Sequence, residues 1–433
     1  MDRDLVALLG FVGMFALMAV RVPIGMAMGI VGVAGFAALS GMGPGLNLLA
    51  NVPLSVLTDY NLIVIPMFVL MGAFASHSGM SAELFQAGRA WLHHRRGGLA
   101  LASVVACGGF SAINGSSVAT AATMTQVALP EMTRAGYSPG LSAGLIAAGG
   151  TLGIMIPPSV ILVLYGIMTE TDITQLFAAG LIPGLMAVAL YSMVIAVIAR
   201  LRTDVMPSGE RHGWPERLST LRPLWAVVVL FLFVLGGIYG GIFTVQEAAG
   251  VGASGTLLIG MARGRLRWPE IKASLISALR VSSAIMTIVM GAYLFGYFLT
   301  ITQFTQNAVD FLVNLPVGPY GVLALVMLGY LVLGAVMDEL AMLLLTVPIV
   351  LPAMVHLGFD PVWFGVIMVM AVTFGMICPP VGMNVFVINS IARDVPLWTI
   401  YRGTMPFVAV DVLRLVLLCA FPSLSLWLPS HLG

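Results

Sequence analysis

Residues 108–159 read GGFSAINGSSVATAATMTQVALPEMTRAGYSPGLSAGLIAAGGTLGIMIPPS, and this stretch decides the fold. Its ends are apolar enough to lie in a membrane. Its middle carries Ser, Thr, Asn, Gly and Pro, which break helices or demand hydrogen-bond partners. Irregular backbone at membrane depth is tolerated only where protein covers it or where it lines a wet cavity. The stretch therefore reads as a site rather than as an anchor.

The rest of the chain supplies the membrane context. Of 433 residues, 60% are hydrophobic and 9% charged, whereas soluble domains carry roughly 25% charged residues. An all-α polytopic membrane protein is expected. Apolar runs near residues 5–20, 23–39, 62–76, 139–168 and 176–199, and again near 224–241, 245–262, 275–302, 361–391 and 406–427, suggest ten crossings, each needing about 20 residues of helix. Residues 99–129 and 320–351 are too long and too interrupted for one helix, and too short for two spans with a solvated turn. Both read as re-entrant hairpins. Residues 1–4 lack the basic region of a cleavable leader. Cys107, Cys378 and Cys419 lie in apolar segments without CxxC spacing, and so read as small buried hydrophobes.

Basic residues cluster at Arg21, 89–96, Arg134, 200–222, 263–272, and near Arg393 and Arg402, which places those loops in the cytoplasm. Each half then has five crossings and one hairpin, and the odd number inverts the second half. The expected organisation is a first repeat over 1–200, a cytoplasmic linker over 201–223 and a second repeat over 224–433. Arg414 is an exception to the loop rule and has Asp411 one turn away as a partner. The mixed stretches 81–96 and 266–280 carry Trp91 and Trp268 among arginines, as interfacial arms or plain loops would. Linker residues 200–222 have no folded-domain composition.

The repeat is visible directly. Aligning Leu129 with Leu351, an offset of 222, makes eleven of forty-four positions identical through Asp172, where this composition gives roughly four by chance. Six are Pro or Gly: Pro130, Gly136, Pro139, Gly153, Pro157 and Pro158, matched by Pro352, Gly358, Pro361, Gly375, Pro379 and Pro380. These residues fix backbone shape, so the halves share structure and not merely apolarity.

The chemistry sits at four breaks. In the first hairpin Asn114, Gly115, Ser116 and Ser117 separate two half-helices, with Thr120 one turn on. The second half-helix presents unpaired N–H groups backed by the positive end of its dipole, which suits an anion. Carbonyls freed at the end of the first, with Asn and Ser oxygens, suit Na⁺. The next helix breaks at Thr151, Gly153, Pro157, Pro158 and Ser159; the second half repeats this at Thr373, Gly375, Pro379, Pro380 and Asn384. The second hairpin tip differs, offering Asp338 and Glu339, two carboxylates at membrane depth.

Other motifs fail on context. Residues 250–255 spell GxGxxG inside an apolar span, where small residues serve close helix packing. The only lysine, Lys272, follows no Gly-rich loop, so no nucleotide or nucleic-acid partner is expected. No pair of histidines sits with a carboxylate at metal or triad spacing, and no enzyme is indicated.

The segments SAINGSSVATAATM, LPEMTRAGYSP, GGTLGIMIPPSVILVLYG, GIFTVQEAAGVGA and TFGMICPPVGMNVFV closely resemble the large membrane subunit of the tripartite ATP-independent periplasmic (TRAP) transporters, over nearly the whole chain. The resemblance implies an ion-transporter-superfamily elevator fold in the bacterial inner membrane. It also implies a separate small four-helix membrane subunit and a periplasmic substrate-binding protein. Two Na⁺ sites would flank the substrate: Asn114, Gly115, Ser116, Thr151 and Gly153 at the first, and Asp338, Thr373 and Gly375 at the second. An organic-acid carboxylate would rest on helix N-termini and hydroxyls at Ser116, Ser117, Thr120, Pro157, Ser159, Pro380 and Asn384. Two rival readings remain at this point: a stand-alone cation- or proton-coupled carboxylate symporter of the same fold, and a channel or structural membrane subunit.

Overall fold

The computed structural model describes residues 3–335 and 337–432; Met1, Asp2, Val336 and Gly433 lie outside them, so the acidic tip is described from Met337 onward. The described chain is helical throughout. Its first half runs α1 (Arg3–Ala19), α2 (Ile24–Ser40), α3 (Met42–Thr58), α4 (Val64–His77), α5 (Met80–Leu92), α6 (Gly98–Asn114), α7 (Ser117–Arg134), α8 (Pro139–Met155), α9 (Val160–Thr169) and α10 (Ile173–Leu201). After α11 (Trp214–Leu221) come α12 (Trp225–Tyr239), α13 (Val245–Ala262), α14 (Trp268–Thr302), α15 (Phe304–Val313), α16 (Gly318–Gly334), α17 (Glu339–His356), α18 (Pro361–Gly375), α19 (Met383–Ile391) and α20 (Leu397–Ala420).

The helix bounds recur at the offset of 222 seen in the sequence. Helix α7 and α17 coincide at both ends, and α8 and α18 start at equivalent prolines. Packing recurs as well. Helix α6 lies on α8 as α16 lies on α18; α7 meets α19 as α17 meets α9; and α8 meets α20 as α18 meets α10. Apolar residues fill two buried clusters. One, around Leu99, Met124, Ile146 and Phe407, lies among α6, α7, α8, α10 and α20; the other runs from α4 and α14 to α17 and α18.

Among the described residues, seven helical segments suffice by length and composition to cross a membrane, among them Pro139–Thr169, Ile173–Leu201 and Trp268–Thr302. Glu339–His356, read from sequence as one limb of a hairpin, also meets that measure. Five shorter apolar helices include Leu5–Ala19, Ile24–Ser40 and Pro361–Gly375.

Several expectations are corrected. Residues 266–280 are no separate arm or loop: they lead into the 35-residue α14, whose first turn is closed by the Glu270 carboxylate accepting from the Arg267 N–H at 3.0 Å, and no breaker follows. Helices α3 and α15 were missed. Both are amphipathic rather than uniformly apolar; α3 carries Asn47, Asn51 and an internal Pro53 and buries only Gly45, Val52 and Val56. The last long helix begins at Leu397 rather than near 406, since Pro406 is accommodated inside it. The linker is not featureless, because α11 docks on α5: Trp91 Nε1 donates to the Arg217 carbonyl at 3.1 Å, and the Arg217 guanidinium lies 6.0 Å from the Trp91 ring and 5.6 Å from Trp214.

Helix α5 spans two parts of the molecule. Its Glu83 pairs with Arg263 at the end of α13, and its Arg89 pairs with Glu131 near the end of α7 at 2.6 Å. The Arg414–Asp411 pair forms as expected, at 3.1 Å, and is fully buried.

Candidate functional site

The first hairpin turns at Gly115, which adopts φ +62, a left-handed conformation that ends α6. Ser116 then caps α7, its hydroxyl accepting from the Ala119 N–H at 3.4 Å. A Cβ on Gly115 would lie 2.5 Å from the Pro158 carbonyl oxygen, so the tip sits directly on the break between α8 and α9. Across that break Ser159 caps α9, accepting from Leu162 N–H at 3.4 Å. The N-termini of α7 and α9 are therefore neighbours, each capped by a neutral hydroxyl. The Pro157–Pro158 and Pro379–Pro380 peptide bonds are both cis.

Glycine brings α8 against the same tip. A Cβ on Gly153 would meet the Ser116 carbonyl oxygen at 2.7 Å, and one on Gly150 would meet the Ser117 carbonyl oxygen at 3.1 Å. Asn114 Nδ2 donates to Thr120 Oγ1 at 3.3 Å, and the Asn114 side chain lies against Gly72 of α4. Thr151 Oγ1 donates to the Ala148 carbonyl at 2.6 Å. Asn114, Gly115, Ser116, Ser117, Thr120, Thr151, Gly153, Pro158 and Ser159 thus form one cluster, joined by Pro157 in the same break.

The second half enters this cluster through Asn384. Its Nδ2 donates to Ser117 Oγ at 2.7 Å and to the Ala147 carbonyl at 3.0 Å, although Asn384 belongs to α19. Asn384 is fully buried, and its Oδ1 has no hydrogen-bond partner among the described residues. A buried amide oxygen without a donor costs roughly 1–3 kcal/mol, which a cation or a polar ligand would relieve.

Around the second break the geometry is related but not equal. Thr373 Oγ1 donates to the Met370 carbonyl at 2.7 Å, the bond Thr151 makes at the equivalent position. Gly375 lies against the backbone of Gly334 at the end of α16, and Val381 N–H donates to the Ala335 carbonyl at 3.1 Å, so the second tip also sits on its break. Asp338 caps α17, its Oδ1 accepting from Leu340 N–H at 3.1 Å and Ala341 N–H at 3.4 Å. Neighbouring Glu339 is buried, and its Oε2 has no partner among the described residues. The Pro380 carbonyl accepts from Tyr401 OH at 3.1 Å. Pro157 and Pro158 are buried whereas Pro379 and Pro380 are exposed.

Sequence reasoning missed a third layer. Tyr191 of α10 places its OH 3.4 Å from Thr151 Oγ1 and 2.7 Å from Asp411 Oδ2. Asp411 and Arg414 were readable only as a local pair, because nothing in their spacing relates them to α8. Two cavities, one of about 550 Å³ where α14 meets α9 and α17 and one of about 880 Å³ among α2, α3 and α14, do not lie at this cluster. The cluster is singled out by its polar side chains, its half-helix ends and its burial.

Paired half-helix ends buried inside a bundle of apolar helices define a polytopic membrane transporter. The family described as "Tripartite ATP-independent periplasmic transporter, DctM component" matches residues 11–424, and the chain belongs to it. A C4-dicarboxylate TRAP transporter large permease protein of Pseudomonas aeruginosa is 36% identical over 376 residues, covering 86% of this chain and 87% of that protein. A sialic acid TRAP transporter large permease protein of Vibrio cholerae is 31% identical, covering 89% and 90%. The crystal structure of the Alcanivorax borkumensis YdaH transporter superposes with a TM-score of 0.60 at 15% identity, covering 89% of this chain and 90% of that one, a likeness of fold. The chain is thus a TRAP large permease.

Proposed function

We propose that this permease imports a small organic acid across the bacterial inner membrane, driven by Na⁺, and receives it from a periplasmic binding protein. A separate small four-helix membrane subunit completes the assembly. Asn384 carries the reading: a buried amide from the second half bonds to Ser117 and the Ala147 carbonyl of the first, and leaves an oxygen without a donor.

Na⁺ takes oxygen ligands, and the cluster supplies them: carbonyls at the end of α6, the Asn114 amide, and the hydroxyls of Ser116 and Thr151. The second set is Asp338, Thr373 and the carbonyls around Gly375. Between them the neighbouring N-termini of α7 and α9, with Ser117, Thr120, Ser159, Asn384 and the Pro157 and Pro380 breaks, offer N–H and hydroxyl donors to a carboxylate. Relatives named for C4-dicarboxylates and for sialic acid are both carboxylate carriers by name, which favours that class.

The reciprocal packing of the halves supports an inverted repeat: if α7 meets α19, a two-fold axis requires α17 to meet α9, and it does. In the elevator reading, hairpins α6–α7 and α16–α17 with the broken helices α8–α9 and α18–α19, and with α20 and α10 packed on them, move as one body against the remaining helices. Helix α5, ion-paired to α13 on one side and to α7 on the other, is suited to be the arm between them.

The test is uptake into proteoliposomes holding the permease with its small subunit, with and without the periplasmic binding protein and an inward Na⁺ gradient. Uptake requiring both is expected. Equal flux without the gradient would overturn the coupling, and equal flux without the binding protein would favour the stand-alone symporter.

A further inference from the structure

The buried chain Thr151–Tyr191–Asp411–Arg414 runs inward from the first proposed ion site, and nothing in the transport cycle above uses its last three members. Tyr191 is completely buried, Asp411 is 2% exposed and Arg414 1%. Ionised residues inside membrane segments are costly and are retained where they do something.

A proton count shows what they do. An ionised Asp411, 3.1 Å from the Arg414 Nη2, is an acceptor only. The Tyr191 hydroxyl therefore donates its one proton to Asp411 Oδ2, at 2.7 Å. Thr151 has one proton too, and at 2.6 Å the Ala148 carbonyl takes it. Tyr191 stands 3.4 Å from Thr151 Oγ1 with its proton turned away, so Thr151 keeps an oxygen lone pair that no donor occupies. If Asp411 lost its charge, Tyr191 would be free to turn and donate to Thr151, and a cation would have to displace that proton.

We infer that Asp411, held by Arg414, is a positioning residue that polarises Tyr191 away from Thr151 and so keeps the Thr151 hydroxyl oxygen open to a cation. The inference rests on the Na⁺ reading of that site. The halves differ here: Thr373 makes the same intrahelical bond as Thr151, but among the described residues no tyrosine hydroxyl lies within hydrogen-bond distance of it.

Replacing Asp411 alone would leave Arg414 buried and unpaired, so the test removes both charges with near-isosteric side chains. In proteoliposomes with the binding protein at saturation, Asp411→Asn/Arg414→Gln should raise the Na⁺ concentration for half-maximal uptake by about tenfold, the scale of one charge-assisted hydrogen bond. Adding Tyr191→Phe removes the competing proton and should return it to within about threefold of wild type, with substrate KM at saturating Na⁺ unchanged throughout. A merely structural pair would lower yield and thermal stability, leave the Na⁺ dependence in place, and gain nothing from Tyr191→Phe. An unshifted double variant, or no rescue in the triple variant, overturns the inference. Should the double variant fail to fold, Tyr191→Phe alone, which leaves no proton to compete at Thr151, must keep the half-saturating Na⁺ concentration within about threefold of wild type. A tenfold rise there counts against the inference equally. If wild-type uptake itself ignores Na⁺, the Na⁺ reading fails instead, and the two failures are told apart.

Discussion

Thr151 and Thr373 use their protons alike, each donating to the carbonyl three residues back, at 2.6 and 2.7 Å. Neither proton points at a ligand, and both oxygens keep lone pairs. Thr151→Val and Thr373→Val preserve shape and remove only that oxygen, so each should raise the Na⁺ concentration for half-maximal uptake, by about tenfold. Unchanged Na⁺ dependence in both would sink the ion-site assignment. These residues could be singled out as candidates because a hydroxyl beside glycine and proline in an apolar run has few other uses. Tyr191 was not legible. It lies in an ordinary apolar helix, and its partner Asp411 is 220 residues away, so only the packing of α10 on α20 brings them together.

At the scale of elements, the breaks were legible because Gly115, Ser116, Pro157, Pro158 and Ser159 act locally: a left-handed turn, a missing N–H and a capping hydroxyl need no tertiary context. Helices α3 and α15 were not, since an amphipathic helix with internal Asn and Pro resembles a loop when apolarity is the guide. If the hairpins slide against the outer helices, a cross-link between the two must stop transport. Ala112 of α6 and Val234 of α12 line one small crevice. In a variant lacking Cys107, Cys378 and Cys419, Ala112→Cys/Val234→Cys bridged by a bifunctional reagent should lose uptake and recover it on cleavage of the bridge. Full activity while bridged would exclude sliding at that seam.

The linker offers a pH prediction. Gly209 N–H donates to the His93 carbonyl at 3.0 Å, and the His93 ring lies 6.3 Å from that of His212. Burial, then the Arg89 charge and His212, hold His93 below the usual 6.5, offset only in part by Glu210 and Glu131. A histidine depressed in the folded state contributes stability above its unfolded value that fades as pH falls toward the folded one. The protection of amides over residues 203–213, taken relative to their intrinsic exchange rates, should therefore fall as pH drops below about 6.5, and His93→Gln should flatten that dependence. A pH-independent wild type would count against the contact.

Over the whole molecule, the repeat could be read from eleven identities and their Pro and Gly content, whereas the way the copies interlock could not, because Asn384 and Ser117 have no counterparts at the repeat offset. Two seams show how the bundle is built. Gly25 and Gly32 of α2 lie against the backbone of α14 at Ile288 and Leu294, and Gly140 and Gly144 of α8 lie against the backbone of α20 at Thr399 and Gly403. Gly144→Val would drive a side chain into that backbone. It should lower the thermal stability of the purified protein sharply, by well over the roughly 1–3 kcal/mol of ordinary overpacking, and unaltered melting would contradict the seam.

These seams also behave as a key in a keyway. Backbone set against backbone leaves no side chain to swing aside, so α8 cannot slip along α20 nor α2 along α14. If the proposed elevator operates, its moving body carries α20 with α8, while α2 and α14 stay together as one rail, and a wedge-like inhibitor would act at the joint between the two.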